Sequence, residues 1–304
     1  MPGLRMVCLV LLPLLAAGCA GSGDGSAGCV MREVAELPVL NQAGVPIVRA
    51  AINGTPVAFI VDTGARASII GRTSADALRL PVSFENHHVI IGIGGATFAP
   101  DATVDRLSLG DGAARNVTFI TAGEFGQQSD GLPVVGLFGG DFLANYDVEL
   151  DLPAHRIGLY DEQHCGTHFR PWADAFYEQK FSLNNATEID LDASLDGRAI
   201  TLQLDSGAQH TVLDLAAGVT GGARSGAMAG DPKSRLIGVD GNPVTGHAHR
   251  FGMLSIGPEQ FASIRLTVAD LPKSLLGSDF LRSHRVWISY PHEMLYIHRA
   301  APGG

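Results

Sequence analysis

Two aspartates stand in the same local sequence pattern, one in each half of the chain. Each follows an apolar stretch and precedes a hydroxyl residue, a glycine and an alanine: Phe59-Ile60-Val61-Asp62-Thr63-Gly64-Ala65 and Leu202-Gln203-Leu204-Asp205-Ser206-Gly207-Ala208. A carboxylate at the end of a buried strand is costly unless hydrogen bonds or a partner charge stabilise it. One such segment is an ordinary turn sequence. Two of them indicate a pair of acids with a shared role.

A pair of carboxyls can perform acid and base catalysis together. Two carboxylates about 3 Å apart cannot both ionise near neutrality, so they share one proton. The ionised member can take a proton from a water molecule, while the protonated member polarises an amide carbonyl. We therefore predict Asp62 and Asp205 as the catalytic pair. The neighbouring residues are expected to support this pair at the seam, the line where the two halves of the protein would meet. The hydroxyls of Thr63 and Ser206 can form hydrogen bonds across the seam, and Gly64 and Gly207 let backbone amides approach the acids.

The pattern around both acids belongs to a longer internal duplication. Placing Gly54 on Gly197 keeps the register without a gap as far as Ile70 on Leu213. A second block also occurs twice, as Leu137-Phe138-Gly139-Gly140-Asp141 and as Leu275-Leu276-Gly277-Ser278-Asp279. Two ordered blocks at similar separations indicate two copies of one unit. Copies that pack about a pseudo-twofold axis bring equivalent residues together at that axis, so the two aspartates are expected to meet there.

Short β-like runs broken by turns make up most of each copy. Asn53-Gly54 between two apolar runs predicts a hairpin with a tight turn, and residues 72–80 predict one short helix. The strands predicted in the first copy are Val45–Ile52, Val57–Val61, Val89–Ile93, Val104–Leu109, Val117–Ile120 and Val148–Tyr160. The predicted organisation is an all-β fold with lobes at residues 34–160 and 185–300, a linker at 161–184, and a loop insertion at 218–235.

These motifs resemble those of the aspartic peptidases. The Asp-Thr-Gly-Ala and Asp-Ser-Gly-Ala segments, each followed later by two apolar residues and a glycine, are similar to the paired motifs of that family, and the lobe size is similar to the retropepsin branch. The resemblance covers about residues 34–160 and 185–298. It implies two pseudo-twofold-related β-barrel lobes in one chain, with the active-site cleft between them. It also implies endopeptidase activity on extended polypeptides, with Asp62 and Asp205 as the dyad and no cofactor.

The resemblance further implies two glycine-rich flaps over the cleft. Ile91–Gly95 resembles a flap tip, and Ile237–Gly241 is its expected twin. The flap residues expected to bind substrate are Ile93, Gly94, Gly95, Val239 and Asp240. Such a cleft can add an extended peptide as a strand through main-chain hydrogen bonds. The sequence departs from the retroviral pattern at Arg66 and Gln209, where an acid is common, and Gln203 interrupts the apolar approach to the second aspartate and predicts a less symmetric site.

Two other functions fit the same fold, because fold alone does not establish activity. One is a catalytically inactive lipoprotein that binds peptides or scaffolds envelope partners. The other is a lipid-anchored adaptor or inhibitor that uses the flap face. The presence of both acids favours the enzyme, since a binder needs neither. Asp141 and Asp279 are interpreted as structural residues that accept hydrogen bonds from turn backbone.

Residues 1–18 have the features of a signal peptide. Arg5 supplies a positive charge, and residues 6–17 form an apolar stretch that is too short to span a bilayer. Ala16-Ala17-Gly18-Cys19 resembles the lipobox of bacterial lipoproteins, in which cleavage precedes a cysteine that is then lipidated. The alternative is signal cleavage without a lipid.

Lipidation of Cys19 would place the protein in the bacterial cell envelope. Ala20 in the next position favours outer-membrane sorting, with the protein facing the periplasm. Residues 19–33, rich in glycine and serine at their start, are expected to form a flexible tether.

The remaining cysteines are predicted to pair. Cys8 is removed with the signal peptide and Cys19 is assigned to lipid, which leaves Cys29 and Cys165. Two cysteines in an oxidising compartment most simply form one disulfide. A metal site is the alternative, because Cys165 lies between two histidines in sequence. No second Cys/His pair has ligand spacing, so no metal is predicted.

Charge restricts the partners. The formal net charge of −10 disfavours nucleic acid or an anionic membrane surface. The expected partners are a polypeptide substrate and, through the lipid alone, a membrane. The chain is expected to be a monomer whose two lobes form an internal pseudo-dimer.

Overall fold

Strands dominate the protein. The structure is a computed structural model that describes residues 29–92, 95–165, 169–238 and 243–299. The strands form two lobes and a sheet that joins them, so the predicted all-β, two-lobed fold is confirmed. No helix within the described ranges has the length and hydropathy that a membrane span requires.

The first lobe is a closed barrel of six strands. The elements of the first half of the chain are β1 (Val30–Pro38), β2 (Ile47–Ile52), β3 (Thr55–Val61), β4 (Ile69–Ile70), α1 (Arg72–Ala77), β5 (Val82–Gly92), β6 (Gly95–Leu109), β7 (Gly112–Thr121), β8 (Gln128–Ser129), β9 (Leu132–Phe138), α2 (Gly140–Leu143), β10 (Asp147–Asp151) and β11 (Arg156–Gln163). Around the barrel the order is β2-β3-β9-β4-β7-β6, and β6 returns to pair with β2. Asn53 and Gly54 have φ values of 50° and 85°, as a two-residue hairpin turn between β2 and β3 requires.

Aromatic rings fill the core of this barrel. Phe59, Phe119 and Phe138 are almost completely buried. The ring of Phe59 stacks on those of Phe119 and Phe138, with centroids 5.5 and 4.4 Å apart. Truncation of one such ring to alanine costs about 3–5 kcal/mol. Because β3 and β9 are parallel neighbours, this packing fixes the direction in which both strands deliver the residues that follow them.

The second lobe repeats the first with one interruption. The elements of the second half are β12 (Tyr177–Asn184), β13 (Glu188–Leu195), β14 (Arg198–Leu204), β15 (Val212–Asp214), α3 (Leu215–Thr220), α4 (Ser225–Met228), β16 (Lys233–Ile237), β17 (Pro243–Arg250), β18 (Met253–Ile256), β19 (Glu259–Ala262), β20 (Arg265–Ala269), β21 (Leu275–Leu276), α5 (Ser278–Leu281), β22 (His284–Ser289) and β23 (Met294–Arg299). The order β13-β14-β21-β15-β20-β17 matches that of the first barrel. Where β6 is continuous, β17 and β18 are separated at Phe251 and Gly252, and β18 pairs with β13 as β6 pairs with β2. The range 218–235, predicted as a loop, contains the end of α3, all of α4 and the start of β16.

A six-stranded antiparallel sheet joins the lobes, in the order β1-β11-β10-β22-β23-β12. At its centre Glu149 in β10 pairs with Trp287 in β22. These are equivalent positions of the duplication, so the pseudo-twofold axis passes between them. Residues 30–33, expected in the tether, belong to β1, and residues 177–184, expected in the linker, form β12. The range 148–160, predicted as one strand, forms β10 and β11 with a turn between them.

A buried carboxylate ties the lobes together in this sheet. Glu149 is 1% exposed, and its carboxylate accepts hydrogen bonds from Trp172 Nε1 at 2.7 Å, Tyr160 Oη at 3.0 Å and the Arg285 guanidinium at 2.6 Å. Arg156 lies 3.3 Å away and adds a second positive charge. Removing one partner of a buried ion pair costs about 3–5 kcal/mol, because the other charge is left unpaired. Since Arg285 belongs to the second lobe and Glu149 to the first, the pair resists their separation.

The segment after β11 is held against this sheet by a disulfide. Cys29 and Cys165 are bonded, as the cysteine count predicted, across a separation of 136 residues. In the chain-entropy model a loop of this size restricts the unfolded chain by about 5 kcal/mol. The bridge borders an aromatic cluster on one face of the sheet, which comprises Cys165, Phe169, Trp172, Trp287 and Tyr296.

Asp147 makes the stability of the interlobe sheet depend on pH. Its carboxylate accepts hydrogen bonds from Trp287 Nε1 at 3.0 Å and from the Ser289 hydroxyl at 3.2 Å. Burial raises the pKa of the Asp147 carboxyl from 3.8 to about 6. The folded protein therefore binds the proton more tightly than the unfolded chain, and stability contributed by the protonated acid is lost as pH rises through about 6.

We expect Asp147→Asn to remove this dependence. The amide keeps an acceptor for Trp287 and has no charge to bury, so the variant should be more stable than wild type by up to about 3 kcal/mol at pH 8. The difference should shrink towards zero below pH 4, where the acid is protonated in both states. Urea unfolding at both pH values measures it. Asp105→Asn, at an exposed position, is the control, and an equal difference at both pH values would contradict the prediction.

Candidate active site

Both aspartates leave the barrels at equivalent points. Asp62 follows β3, and its backbone N–H donates to the Phe138 carbonyl at the end of β9, at 3.0 Å. Asp205 follows β14, and its N–H donates to the Leu276 carbonyl at the end of β21, at 2.9 Å. In each lobe the two strands are parallel neighbours. The second block of the duplication, which begins at Leu137 and at Leu275, therefore contains the strand end that binds the backbone of the aspartate in its own lobe.

The turn after each acid folds back onto its carboxylate. Oδ1 of Asp62 accepts the N–H groups of Gly64 at 2.9 Å and Ala65 at 3.0 Å. Oδ1 of Asp205 accepts the N–H of Ala208 at 2.9 Å. Hydrogen bonds from backbone amides to a carboxylate favour its ionised form. The turns thus supply fixed donors to acids that burial alone would neutralise.

The glycines of the two motifs make room for the opposite acid. A Cβ atom added to Gly64 would overlap the carboxyl of Asp205, and one added to Gly207 would overlap the carboxyl of Asp62. Any side chain at either position would push the opposite acid away. The glycines therefore set how closely the acids approach.

The two carboxyls are neighbours at the seam, and each lies against the glycine of the opposite motif. Burial raises the pKa of Asp62, and the backbone hydrogen bonds from Gly64 and Ala65 offset part of that rise. Burial and then the charge of Asp62 raise the pKa of Asp205 well above its ordinary value. Oδ1 of Asp62 accepts two backbone N–H groups and Oδ1 of Asp205 accepts one, and this difference favours the ionised form at Asp62.

The hydroxyl residues beside the acids exchange hydrogen bonds across the seam. Thr63 N–H donates to Ser206 Oγ, and Ser206 N–H donates to Thr63 Oγ1, both at 3.0 Å. The Thr63 hydroxyl then donates to the Leu204 carbonyl at 2.9 Å, and the Ser206 hydroxyl donates to the Val61 carbonyl at 2.7 Å. Thr63 and Ser206 are fully buried. Because an unpaired buried donor costs about 1–3 kcal/mol, the four bonds hold the two strand ends in one register.

A second pair of acids supports the turns from behind. Asp141 Oδ1 accepts the N–H and the hydroxyl of Ser68 at 2.8 and 2.6 Å. Asp279 Oδ1 accepts the equivalent groups of Thr211 at 2.9 and 2.7 Å. Both acids thus bind turn backbone, which is the structural role inferred from the sequence.

The glycines before these acids let the chains cross. Gly139 and Gly277 donate their N–H groups to the hydroxyls of Ser68 and Thr211, at 3.0 and 3.1 Å. A Cβ atom at Gly139 would overlap the backbone of Ala67, and one at Gly277 would overlap the equivalent backbone of the second lobe. The apolar-apolar-Gly motif therefore marks the place where two backbone segments of one lobe cross in close contact.

Two contacts near the seam were not foreseen. The Gln203 side-chain amide donates to the Gly64 carbonyl of the other lobe at 3.2 Å. The Ser278 hydroxyl, which is fully buried, donates to the Ser206 carbonyl at 2.7 Å. One sequence signal could have indicated these contacts, namely a mismatch between the two copies. Gln203 and Ser278 are polar where the first copy has Ile60 and Gly140.

The strands of both predicted flaps are present. In the first flap β5 and β6 pair as far as Gly92 and Gly95, and in the second β16 and β17 pair as far as Ile237 and Pro243. β5 and β16 each lie at the edge of a sheet. The predicted flap residues at the tips, Ile93, Gly94, Val239 and Asp240, lie outside the described residues.

Other predicted features fall partly outside the described ranges. The signal peptide, Cys19 and the first part of the tether precede residue 29 and are not described. Of the two histidines that flank Cys165, His168 is also outside. Within the ranges that the structure describes, no group of three His, Cys, Asp or Glu side chains is placed to hold a metal ion.

Comparison with known proteins agrees with this geometry. The family model described as aspartyl protease matches residues 48–142 and 191–280, one segment in each lobe. The crystal structure of an aspartic proteinase from Irpex lacteus has the same fold, with a TM-score of 0.52 at 12% identity, over 90% of this chain and 98% of that one. Among curated proteins none matches by sequence. Since the family model spans more than half of the sequence, in two copies that each carry one aspartate, the chain belongs to the aspartyl proteases.

Proposed function

We propose that this protein is an aspartic endopeptidase that hydrolyses extended polypeptides in the cell envelope, with Asp62 and Asp205 as its catalytic dyad. The observation that supports it is the close approach of the two acids at the lobe seam, where Asp62 lies against Gly207 and Asp205 against Gly64. A purely structural role would be served better by one acid with a cation or by none, since two half-buried acids side by side oppose each other's ionisation. The pair is suited to a reaction that needs an acid and a base together.

The proposed reaction uses the two acids in different roles. Asp62, with two turn amides on Oδ1, is the ionised member and takes a proton from a water molecule held between the carboxyls. The resulting hydroxide adds to the carbonyl carbon of the peptide bond, while the protonated Asp205 gives its proton to the carbonyl oxygen. The tetrahedral intermediate collapses when the amide nitrogen gains the proton held by Asp62, the C–N bond breaks, and one hydroxyl of the intermediate returns its proton to Asp205. The products are a carboxylic acid and an amine, and the pair again shares one proton.

The edges of the two flap hairpins support an extended substrate. Among the strands that the structure describes, β5 and β16 have neighbours on only one side in their sheets, so each has backbone groups available to an added strand. A peptide bound in this way lies with its backbone fixed and its side chains alternating between opposite faces. Substrate recognition by main-chain hydrogen bonds is therefore proposed for this site.

The enzyme proposal predicts loss of activity when either acid is replaced. Asp62→Asn and Asp205→Asn preserve size but remove the shared proton, so each should lower kcat/KM on unfolded polypeptides by about 10³-fold or more. Cleavage is measured by mass spectrometry of the products. Asp105→Asn and Asp192→Asn, at exposed positions in the two lobes, are matched controls. Wild-type cleavage by both dyad variants would contradict the proposal, and unchanged peptide binding without any cleavage by wild type would favour the inactive binder.

The dyad also predicts the shape of the pH profile. Catalysis needs one protonated and one ionised carboxyl, so kcat/KM should be bell-shaped, and its limbs report the pair rather than either residue. Burial raises the pKa of both acids above 3.8. Activity should therefore persist above that pH and fall at higher pH, when the second proton leaves. Initial rates between about pH 3 and 9 measure this, and activity that rises continuously across that range would contradict it.

We also propose that a lipid on Cys19 anchors the enzyme in the envelope. The lipobox-like sequence supports this, as does the disulfide, which is typical of an oxidising compartment. Mass spectrometry of the mature protein should find Cys19 at the N-terminus with the mass of acyl chains added. Cys19→Ser should move the protein from the membrane fraction to the soluble fraction. An unmodified N-terminal residue in the wild-type protein would contradict the anchor.

A further inference from the structure

One hydrogen bond breaks the twofold symmetry around the dyad. Gln203 lies in β14, two residues before Asp205, and is 5% exposed. Its side-chain amide crosses the seam and donates to the Gly64 carbonyl at 3.2 Å. The equivalent residue of the first lobe is Ile60, whose side chain has no donor and packs against a buried apolar cluster that includes Ile69 and Leu137. The second lobe therefore holds the acidic turn of the first, with no matching bond in return from that position.

The backbone of Gln203 is fixed on both sides of its strand. It pairs with Asp190 in β13 and with Leu275 in β21, and its N–H donates to the Ser274 carbonyl at 2.8 Å. Because the strand is held on both sides, the position of the Gln203 side chain relative to the Gly64 carbonyl is fixed by the sheet of the second lobe.

The carbonyl that Gln203 holds belongs to a peptide unit that also contacts the dyad. The Gly64 C=O and the Ala65 N–H are the two polar groups of one planar peptide. That N–H donates to Asp62 Oδ1 at 3.0 Å. The four groups thus form a chain from the Gln203 amide, through the peptide, to the Asp62 carboxylate. Hydrogen bonds in such a chain polarise one another and strengthen the last of them.

We propose that Gln203 is a positioning residue of the dyad, which holds the 64–65 peptide so that its N–H stabilises the ionised Asp62. The inference rests on the proposed function and deepens it, because it explains why Asp62 rather than Asp205 acts as the base. At the second acid the equivalent peptide carries the Ala208 N–H, which donates to Asp205 Oδ1. The side chain at position 60 is apolar and cannot polarise that peptide. Two chemically identical acids therefore have different surroundings.

The rival role for Gln203 is to join the lobes without affecting the acids. The two roles differ in what they do to protonation. A residue that only joins the lobes would change the free energy of unfolding alone. A positioning residue would also change the pH at which the aspartate pair takes up its second proton. The ionisation of the dyad, measured apart from turnover, distinguishes them.

The test replaces the amide by side chains without a donor. Gln203→Met keeps the length of the side chain, and Gln203→Ile introduces the residue of the first lobe. Each should lower kcat by about 5- to 10-fold, the usual effect of one hydrogen bond, and leave KM within about twofold of wild type. The acid limb of the pH profile should move to higher pH, because ionised Asp62 loses support. Gln260→Ile, at an exposed position in β19, should leave kcat, KM and the acid limb of the pH profile unchanged.

A second measurement keeps this test separate from the activity itself. With ¹³C-labelled aspartate in the purified protein, the carboxyl resonances that disappear in Asp62→Asn and Asp205→Asn follow the titration of the pair. The first ionisation should occur at higher pH in Gln203→Met and Gln203→Ile than in Gln260→Ile. Identical titrations in Gln203→Met, Gln203→Ile and Gln260→Ile would overturn the proposed role of Gln203. If wild type cleaved no polypeptide, the proposed function would fail, while the titration would still decide for or against the positioning role.

Discussion

Two carboxyls that lie side by side at a seam between lobes are the interaction on which the rest of the structure depends. Neither acid can be placed by its own lobe, because the space for each is made by a glycine of the other, Gly64 or Gly207. Like charges in contact favour separation. The seam therefore needs bonds that hold the lobes together close to the acids, and Thr63 and Ser206 supply four of them in full burial.

The interlobe sheet also connects the lobes. Its central strands β10 and β22 come from different lobes and pair in register across the pseudo-twofold axis. Glu149 of one lobe and Arg285 of the other form a buried ion pair there, and the Cys29–Cys165 bridge holds the covering segment in place. A buried ion pair adds little net stability, but it penalises separation strongly. Such a connection suits a site that tolerates little relative movement of its two halves.

Fusion of the two copies in one chain allows the site to be asymmetric. In a symmetric dimer every residue of the site occurs twice, so the acids can differ only after a proton or a substrate has bound. Here Gln203 replaces Ile60 and Ser278 replaces Gly140 at equivalent positions, and both polar residues bind backbone at the seam. The continuous β6 of the first lobe also becomes β17 and β18 in the second. The lobes thus keep a common framework and differ where they meet.

Much of the framework could be predicted because the sequence states it twice. Apolar runs that end in Asp-(Thr/Ser)-Gly marked β3 and β14, the Asn53-Gly54 pair marked a hairpin, and two remaining cysteines indicated one disulfide. At the edges of the interlobe sheet the prediction fails, because residues 30–33 of β1 fall in the predicted tether and all of β12 falls in the predicted linker. β1 pairs with β11, more than a hundred residues away, and β12 pairs with β23 at a similar distance. Local composition contains no information on such partners.

The sequence by itself therefore determined the chemical groups, their duplication and the local turns, since these depend on neighbouring residues and on a repeat that can be counted. Tertiary structure alone decided which atoms meet. It brought the carboxyls of Asp62 and Asp205 together, exchanged the hydroxyls of Thr63 and Ser206 across the seam, and directed Gln203 to the Gly64 carbonyl. The physical reason is that these contacts join strand ends in separate lobes. Their geometry is set by the packing of both barrels and the sheet between them, which no short stretch of sequence specifies.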